Sequence, residues 1–359
     1  MTVSCATVPG PKAAIVSFRL GGTDGVAIEA EKWAWALRER GFGVFTVAGE
    51  GPVDHLLPGL AMRAGAPPTL PEVADVLADA DLVVVENLCS LPLNPAASDV
   101  VSAALRGRRA LMHHHDLPWQ REETARLPPP PDDRGWVHVT INDQSRVEMA
   151  VRGVEAKVLR NSFDTKVRLG DREASRSQLE DTLGLNRSIP LLLQPTRAIP
   201  RKNVAGGVAF AAAIGATYWI MGPAEDGFGP ELDEVVGAAT TPVLRGTPRG
   251  LPMEMADAYA ACDAVLMPSF SEGFGNPSVE SAVHRRPLVI GPYPVATELR
   301  AFGFDWFGLD DADRLSAWLP DPDESLLERN LAVARRHFAL EDLPERLGAL
   351  FAGAGWSEW

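Results

Sequence analysis

The chain holds only three cysteines in 359 residues: Cys5, Cys89 and Cys262. They are far apart, odd in number and include no C-x-x-C pair, which argues against a disulfide framework and a cysteine-built zinc site. Positive charge is also scarce. The 34 Lys and Arg residues are outnumbered by 48 Asp and Glu residues, giving a net charge of −14. A phosphate backbone needs clustered cations, so a nucleic-acid partner is not expected. A local basic pocket for one or two phosphates remains compatible with that balance. No apolar run approaches the roughly 20 residues needed to cross a bilayer. Residues 1–11 have no basic stretch leading into an apolar one, so no signal peptide is expected and a cytoplasmic location is. Hydrophobic residues make up 46% of the chain and charged residues 23%, which suits a large core and argues against global disorder. The length suggests two domains.

Short apolar runs alternate with helix-compatible stretches, the pattern of a doubly wound parallel sheet. In the first half, strands are expected at residues 13–18, 43–48, 82–86, 109–113 and 136–141, with a helix over 26–40 that Gly41 ends. A second cycle follows, with strands at 189–194, 218–221, 242–244, 264–267 and 287–290. The charged stretch 172–187 places the domain boundary near it. Residues 127–133 contain four consecutive prolines and must be extended. This loop is either plain surface or a lid on the acceptor side. Residues 224–230 read as a second loop. From Ser325 onward two helices are expected. Trp356 and Trp359 should dock on something rather than face water.

Ligands of open parallel sheets bind beyond the carboxyl ends of the strands, so the residues that follow the strands are the candidates. Gly21 and Gly22 follow the first strand and open a helix, where free N–H groups and the dipole favour a phosphate. The spacing is not G-x-G-x-x-G, and a plain tight turn is the competing reading. His113, His114, His115, Asp116 and Trp119 end a later strand. Three neighbours on a strand point alternately to opposite faces, so they should not converge on one metal ion. One or two histidines facing a cleft is the more natural arrangement, with Asp116 orienting a ring and Trp119 stacking on a sugar. After the 189–194 strand, Arg197, Arg201 and Lys202 place three cations in six positions, suited to a diphosphate or simply to solvent.

The most informative segment follows the 264–267 strand: Pro268, Ser269, Phe270, Ser271, Glu272, Gly273, Phe274, Gly275, Asn276, Pro277, Ser278, Val279 and Glu280. Glu272 falls in the strand-to-loop turn and Glu280 early in the next helix. The glycines let backbone amides approach a ligand, and the two carboxylates can accept hydroxyl hydrogens from different parts of it.

In this order along one chain, these segments resemble retaining nucleotide-sugar glycosyltransferases of the GT-B fold, in glycosyltransferase family 4. The carriers are the Gly21–Gly22 turn, His114-His115-Asp116, residues 158–164, the Arg197/Lys202 pair and the Glu272-x7-Glu280 signature. The resemblance covers nearly the whole chain. It implies an α/β fold of two Rossmann-like domains with a cleft between them and a C-terminal helix returning to the N-terminal domain. The expected domains are 1–175 with 340–359 on the acceptor side, and 176–339 on the donor side.

By the same resemblance, Arg197 and Lys202 would hold the donor diphosphate and stabilise the charge that builds on it. Gly21 and Gly22 would add backbone N–H groups. Glu272 would bind hydroxyls of the donor sugar, beside amides of Gly273, Phe274, Gly275 and Asn276, and Glu280 would bind the ribose. His115 or His114 would sit under the transferred sugar, and Gly222 and Arg245 would lie near the nucleotide. The implied reaction is a retaining transfer of a hexosyl group to an acceptor hydroxyl, without a metal or other cofactor. The acceptor would be small-molecule, glycan or lipid-linked.

The triple histidine, Ser162 and the proline run depart from the family pattern and bear on the acceptor side. Two alternatives stay open: a nucleotide-sugar epimerase on the same fold, and a non-catalytic nucleotide-sugar-binding protein. Lys32, Trp33 and Trp35, with Arg106, Arg108 and Arg109, also suit peripheral membrane contact, or else an ordinary core and solvated face.

Overall fold

In a computed structural model, which describes residues 10–22, 24–248, 253–356 and 358–359, the apolar runs form two parallel sheets. Cys5 and most of the segment read for a signal peptide lie outside the described residues. The chain divides into two compact units, one of residues 1–162 with 340–359 and one of residues 163–339.

In the first unit, β1 (Lys12–Arg19), β2 (Gly43–Glu50), β3 (His55–Leu56), β4 (Leu82–Glu86), β5 (Ala110–His114), β6 (Trp136–Thr140) and β7 (Ala156–Val158) are all parallel, in the order β3-β2-β1-β4-β5-β6-β7. The order reverses between β1 and β4, where an open sheet of this kind leaves a crevice at the strand ends. The helices are α1 (Gly25–Glu39), α2 (Leu70–Val76), α3 (Pro95–Leu105) and α4 (Asp143–Val151). Both faces of the sheet are covered, which explains why its strands read as continuous apolar runs. Ile15, Val84, Leu111 and Val139 face Trp33 and Leu37 of α1. Ala14, Val16, Val83, Val85 and Met112 face Val101 and Leu105 of α3. Asp24 starts α1 by accepting hydrogen bonds from the backbone N–H groups of Val26 and Ala27, both at 3.2 Å.

The second unit repeats the plan with β8 (Leu191–Gln194), β9 (Thr217–Ile220), β10 (Val243–Arg245), β11 (Ala264–Met267), β12 (Leu288–Ile290) and β13 (Phe307–Gly308), in the order β10-β9-β8-β11-β12-β13. Its helices are α5 (Arg172–Leu183), α6 (Val204–Ala213), α7 (Gly229–Gly237), α8 (Met255–Ala261), α9 (Pro277–Val283), α10 (Pro294–Arg300), α11 (Ala312–Trp318) and α12 (Glu324–Phe338). The chain then returns to the first unit as α13 (Leu343–Gly353), whose Leu347 and Phe351 are buried beside α1. Trp356 is 7% exposed in that core, and Trp359 packs edge-on against Phe42 and Phe351. The terminal tryptophans therefore dock within the first unit.

The units divide at 162/163, whereas the sequence expectation was 175/176. Local bonding accounts for the earlier division. The Phe163 N–H donates to the Phe338 carbonyl at 2.7 Å, and Arg172 donates to the carbonyls of Ala260, Ala261 and Cys262, so residues 163–175 belong with the second sheet. The strands β3 and β13, of two residues each, and β7, whose Lys157 interrupts its apolar residues, were not anticipated. The loop expected over 224–230 is shorter, because α7 already starts at Gly229 with Pro230 in its first turn.

The residues suited to membrane contact are used internally. Trp33 is 1% exposed and Trp35 packs against the same core. Arg106 donates to the Asp132 carbonyl, Arg108 to the Leu77 and Ala80 carbonyls, and Arg109 pairs with Glu358. Among the described residues, no helix is long and apolar enough to cross a membrane.

Candidate functional site

In the second unit, the turns after β8 and β11 meet. After β8 the chain makes a short 3-10 turn over Pro200–Lys202, then enters α6 through Asn203. Asn203 has a left-handed backbone (φ 51°) and caps α6 by accepting from the Gly206 N–H. Its amide also donates to the Pro268 carbonyl at 3.0 Å, which ties this turn to the end of β11. A second tie runs from the Phe270 N–H to the Arg201 carbonyl at 2.9 Å.

These ties bring Lys202 Nζ to 2.5 Å from Glu272 Oε1 and Arg201 Nη1 to 2.5 Å from Glu272 Oε2. Ser269 Oγ donates to Glu272 Oε1 at 2.6 Å, and Arg201 also donates to the Ser271 carbonyl at 2.8 Å. The Lys202 and Glu272 side chains are only 8% and 4% exposed. Burial acts to raise the Glu272 pKa, but the Lys202 charge, followed by that of Arg201, outweighs it and holds the carboxyl at about 2. Burial draws the Lys202 ammonium below the usual lysine range, against the opposing pull of Glu272. The result is a buried carboxylate carrying two cations, all at strand ends.

Arg197 stands apart from this group. It pairs with Glu225 at 2.6 Å, and both side chains are more than two-fifths exposed. Arg245 pairs with Asp233 at 2.5 Å, also near solvent. Beside them is a hollow of about 220 Å³ lined by Ile220, Gly222, Pro223, Ala224, Leu232, Arg245 and Gly246. Only glycine fits at 222, where a Cβ would lie 2.4 Å from the Thr196 carbonyl oxygen. Gly275 has a positive φ of 82°, and a Cβ there would lie 2.7 Å from the Tyr293 hydroxyl. Glu280, in the first turn of α9, accepts from the Tyr259 hydroxyl at 2.7 Å, and His284 stacks on Tyr259.

In the first unit, the pleat of β5 separates the three histidines. His114 points to one face, its Nε2 2.9 Å from Nδ1 of His138, with both rings buried. Burial, and then the neighbouring His138, push the His114 pKa well below its ordinary value. His113 and His115 share the other face and converge on Glu86, the last residue of β4. His113 Nδ1 is 2.9 Å and His115 Nε2 2.8 Å from Glu86 Oε2. Burial raises the Glu86 pKa, but His113 and then His115 more than offset this and hold the carboxyl at about 2. His115 is raised overall, since its bond to Glu86 and the charges of Glu86 and Glu29 overcome its burial.

Alternation therefore keeps neighbours apart, as the sequence suggests, yet i and i+2 do meet. Among the described residues, Glu86, His113 and His115 are the group whose ligand atoms lie within 4.8 Å of one another. The hydrogen-bond separations already account for that closeness.

Several expected roles fall to other residues. The ring of His115 is held by Glu86 rather than by Asp116, whose carboxylate pairs with Arg121. Trp119 donates to Glu148 at 2.9 Å, and the Arg152 guanidinium lies 3.9 Å over its ring, so one stacking face is taken. Gly21 (φ 72°) and Gly22 lie at the turn after β1, and the nearest atoms to a Cβ on Gly22 would be those of Asp24 at 3.3 Å. Arg201, one of the three cations read from the sequence, is the arginine that meets Glu272, and Glu86 was not singled out from the sequence. Arg201 belonged to a visible run of cations, but spacing alone did not distinguish it from Arg197. Glu86 is an acid closing an apolar strand run, a signal that could have been used.

No family model matches the sequence. The chain is 25% identical to mannosylglucosylglycerate synthase of Thermotoga maritima, over 94% of this chain and 98% of that protein. It is 23% identical to the protein of the same name from Petrotoga mobilis, over 81% and 85% respectively. Among solved structures, Anabaena HepE in complex with UDP-glucose superposes with a TM-score of 0.72 at 18% identity, covering 95% of this chain and 99% of HepE. Along nearly its whole length, the chain has the fold of GT-B glycosyltransferases.

Proposed function

We propose that this protein is a glycosyltransferase that moves a hexosyl group from a nucleotide-diphosphate sugar to an acceptor hydroxyl with retention of configuration. The observation that carries this reading is the buried Lys202–Glu272–Arg201 group at the ends of β8 and β11. A carboxylate held near full ionisation accepts sugar hydroxyl hydrogens, and the cations beside it neutralise a departing diphosphate. Arg197 joins them on binding by leaving Glu225. That exposed pair contributes about 0–1 kcal/mol, so exchanging it for a phosphate costs little. The hollow by Gly222 and Arg245 suits the nucleoside, and Glu280, oriented by Tyr259, suits the ribose. Amides of residues 273–276 flank the sugar.

The reading is strengthened by the two relatives named mannosylglucosylglycerate synthase and by the UDP-glucose bound to HepE. The acceptor hydroxyl attacks from the leaving-group face, and a departing phosphate oxygen takes its proton. The O–C bond to the acceptor forms as the C–O bond to the diphosphate breaks, so the charge left behind rests on the cations. No metal is required for that charge.

The test is a thermal-shift screen of UDP-, GDP-, ADP- and dTDP-sugars, followed by product analysis with candidate acceptors. A donor at one hundred times its dissociation constant adds about 2.7 kcal/mol of stability. No shift with any donor, or an epimerised free nucleotide sugar as the sole product, refutes the proposal.

A further inference from the structure

We propose that Glu86 is a positioning residue. By accepting from His113 Nδ1 and His115 Nε2, it fixes the tautomer of His115 and leaves Nδ1 as the ring nitrogen that meets a hydroxyl of a bound ligand. The choice of ligand rests on the transfer reading above; the tautomer does not.

The geometry constrains the ring from several sides. An ionised carboxylate only accepts, so each nitrogen facing Glu86 must carry its hydrogen. Both contacts, at 2.9 and 2.8 Å, converge on one oxygen, Oε2. His113 acts as a wedge. Its ring stacks on Trp33 with centroids 4.1 Å apart and lies 4.3 Å from the His115 ring, while its Nε2 is buried without a hydrogen-bond partner. The backbone is held as well. Asn87, in a left-handed conformation at φ 58°, places its Oδ1 3.2 Å from the His115 N–H and 3.1 Å from the Asp116 N–H. On α1, Glu29 is buried nearby and bonded to Lys32, which also donates to the Ser162 carbonyl at 2.6 Å.

Among the described residues no hydrogen bond occupies His115 Nδ1. With Nε2 committed, that atom accepts from a hydroxyl when the ring is neutral and donates to one when the ring is charged. Glu86 itself does not reach the ligand; it acts through the imidazole.

The experiment uses the full chain labelled with 15N-histidine, with the His115 signal assigned from H115A. Long-range proton–nitrogen spectra without donor should show His115 protonated at Nε2 in the wild type and in E86Q, whose amide oxygen can accept in the same place. E86A should lose that preference. In transfer assays, E86A should lose kcat by about tenfold or more with KM changed by less than about twofold, and E86Q should recover most of that loss. Three results overturn the proposal: a wild-type His115 with bare Nε2, equal behaviour of E86A and E86Q, or zinc at stoichiometric concentration shifting His113 and His115 together. If E86A does not fold, the wild-type and E86Q spectra still decide the tautomer. If no nucleotide sugar binds but the spectra are as stated, the tautomer stands and only the transfer reading falls.

Discussion

Glu86 and Glu272 occupy equivalent places in the two units. The first ends β4 and the second follows β11, each neighbouring the first strand of its sheet. Each is almost wholly buried and held at about 2 by two positively charged or protonatable side chains. The partners differ in kind. Glu272 faces a lysine and an arginine, which stay charged across the physiological range. Glu86 faces two histidines, which can give up their protons. The first arrangement suits permanent neutralisation of a phosphate, and the second suits setting the orientation and charge of a ring.

The largest expected effect is on turnover. K202A should reduce transfer on the order of 10²–10³-fold, because one cation no longer meets the developing charge. Its unfolding transition should remain cooperative, since Arg201 still pairs with Glu272. Unchanged turnover would remove Lys202 from the site.

The next test compares the two carboxylates in denaturant melts. E272A leaves Lys202 buried and charged, at a cost of about 3–5 kcal/mol. E86A leaves histidines that can become neutral, at a cost nearer 1–3 kcal/mol. Equal losses would mean that the type of partner does not matter.

Dependence on pH sharpens the contrast. Both carboxyls sit below the ordinary value of 4.5, so each contributes stability above about 4.5 that is lost as pH falls towards 2. His115 is shifted the other way. Its contribution is complete below the ordinary value of 6.5 and is lost as pH rises through its raised folded value. Hydrogen exchange by peptide, corrected for intrinsic rates, should therefore show β4 and β5 loosening above neutral pH while β8 and β11 do not. A matching loss in both sheets would contradict the assignment.

The smallest effect is expected at the exposed pair. E225A should change stability by no more than about 1 kcal/mol and should slightly tighten donor binding, because Arg197 is released. Calorimetric titration of the donor measures this, and weaker binding would count against a phosphate role for Arg197.

Most of the strands were legible because both faces of each sheet are covered, which leaves apolar runs such as 82–86 and 264–267 in the sequence. The short strands β3, β7 and β13 carry no apolar run of that kind: two are pairs of residues, and Ala156–Val158 is interrupted by Lys157. The Glu272–Glu280 segment was legible because the glycines, the proline and the acids fall in one turn and helix start. The choice between Arg197 and Arg201 was not, because a 3-10 turn and the left-handed Asn203 decide which arginine reaches the carboxylate.

The order of apolar and polar residues by itself determined two doubly wound sheets with chemistry at the strand ends, since burial on both faces and the strand period leave few other arrangements. Tertiary structure alone decided which charges meet. The pairing of β4 with β5 sets Glu86 opposite His113, and the pleat then brings His115 to the same oxygen while sending His114 to the other face. Those contacts join residues far apart along the chain, and only the register of neighbouring strands sets their separation in space.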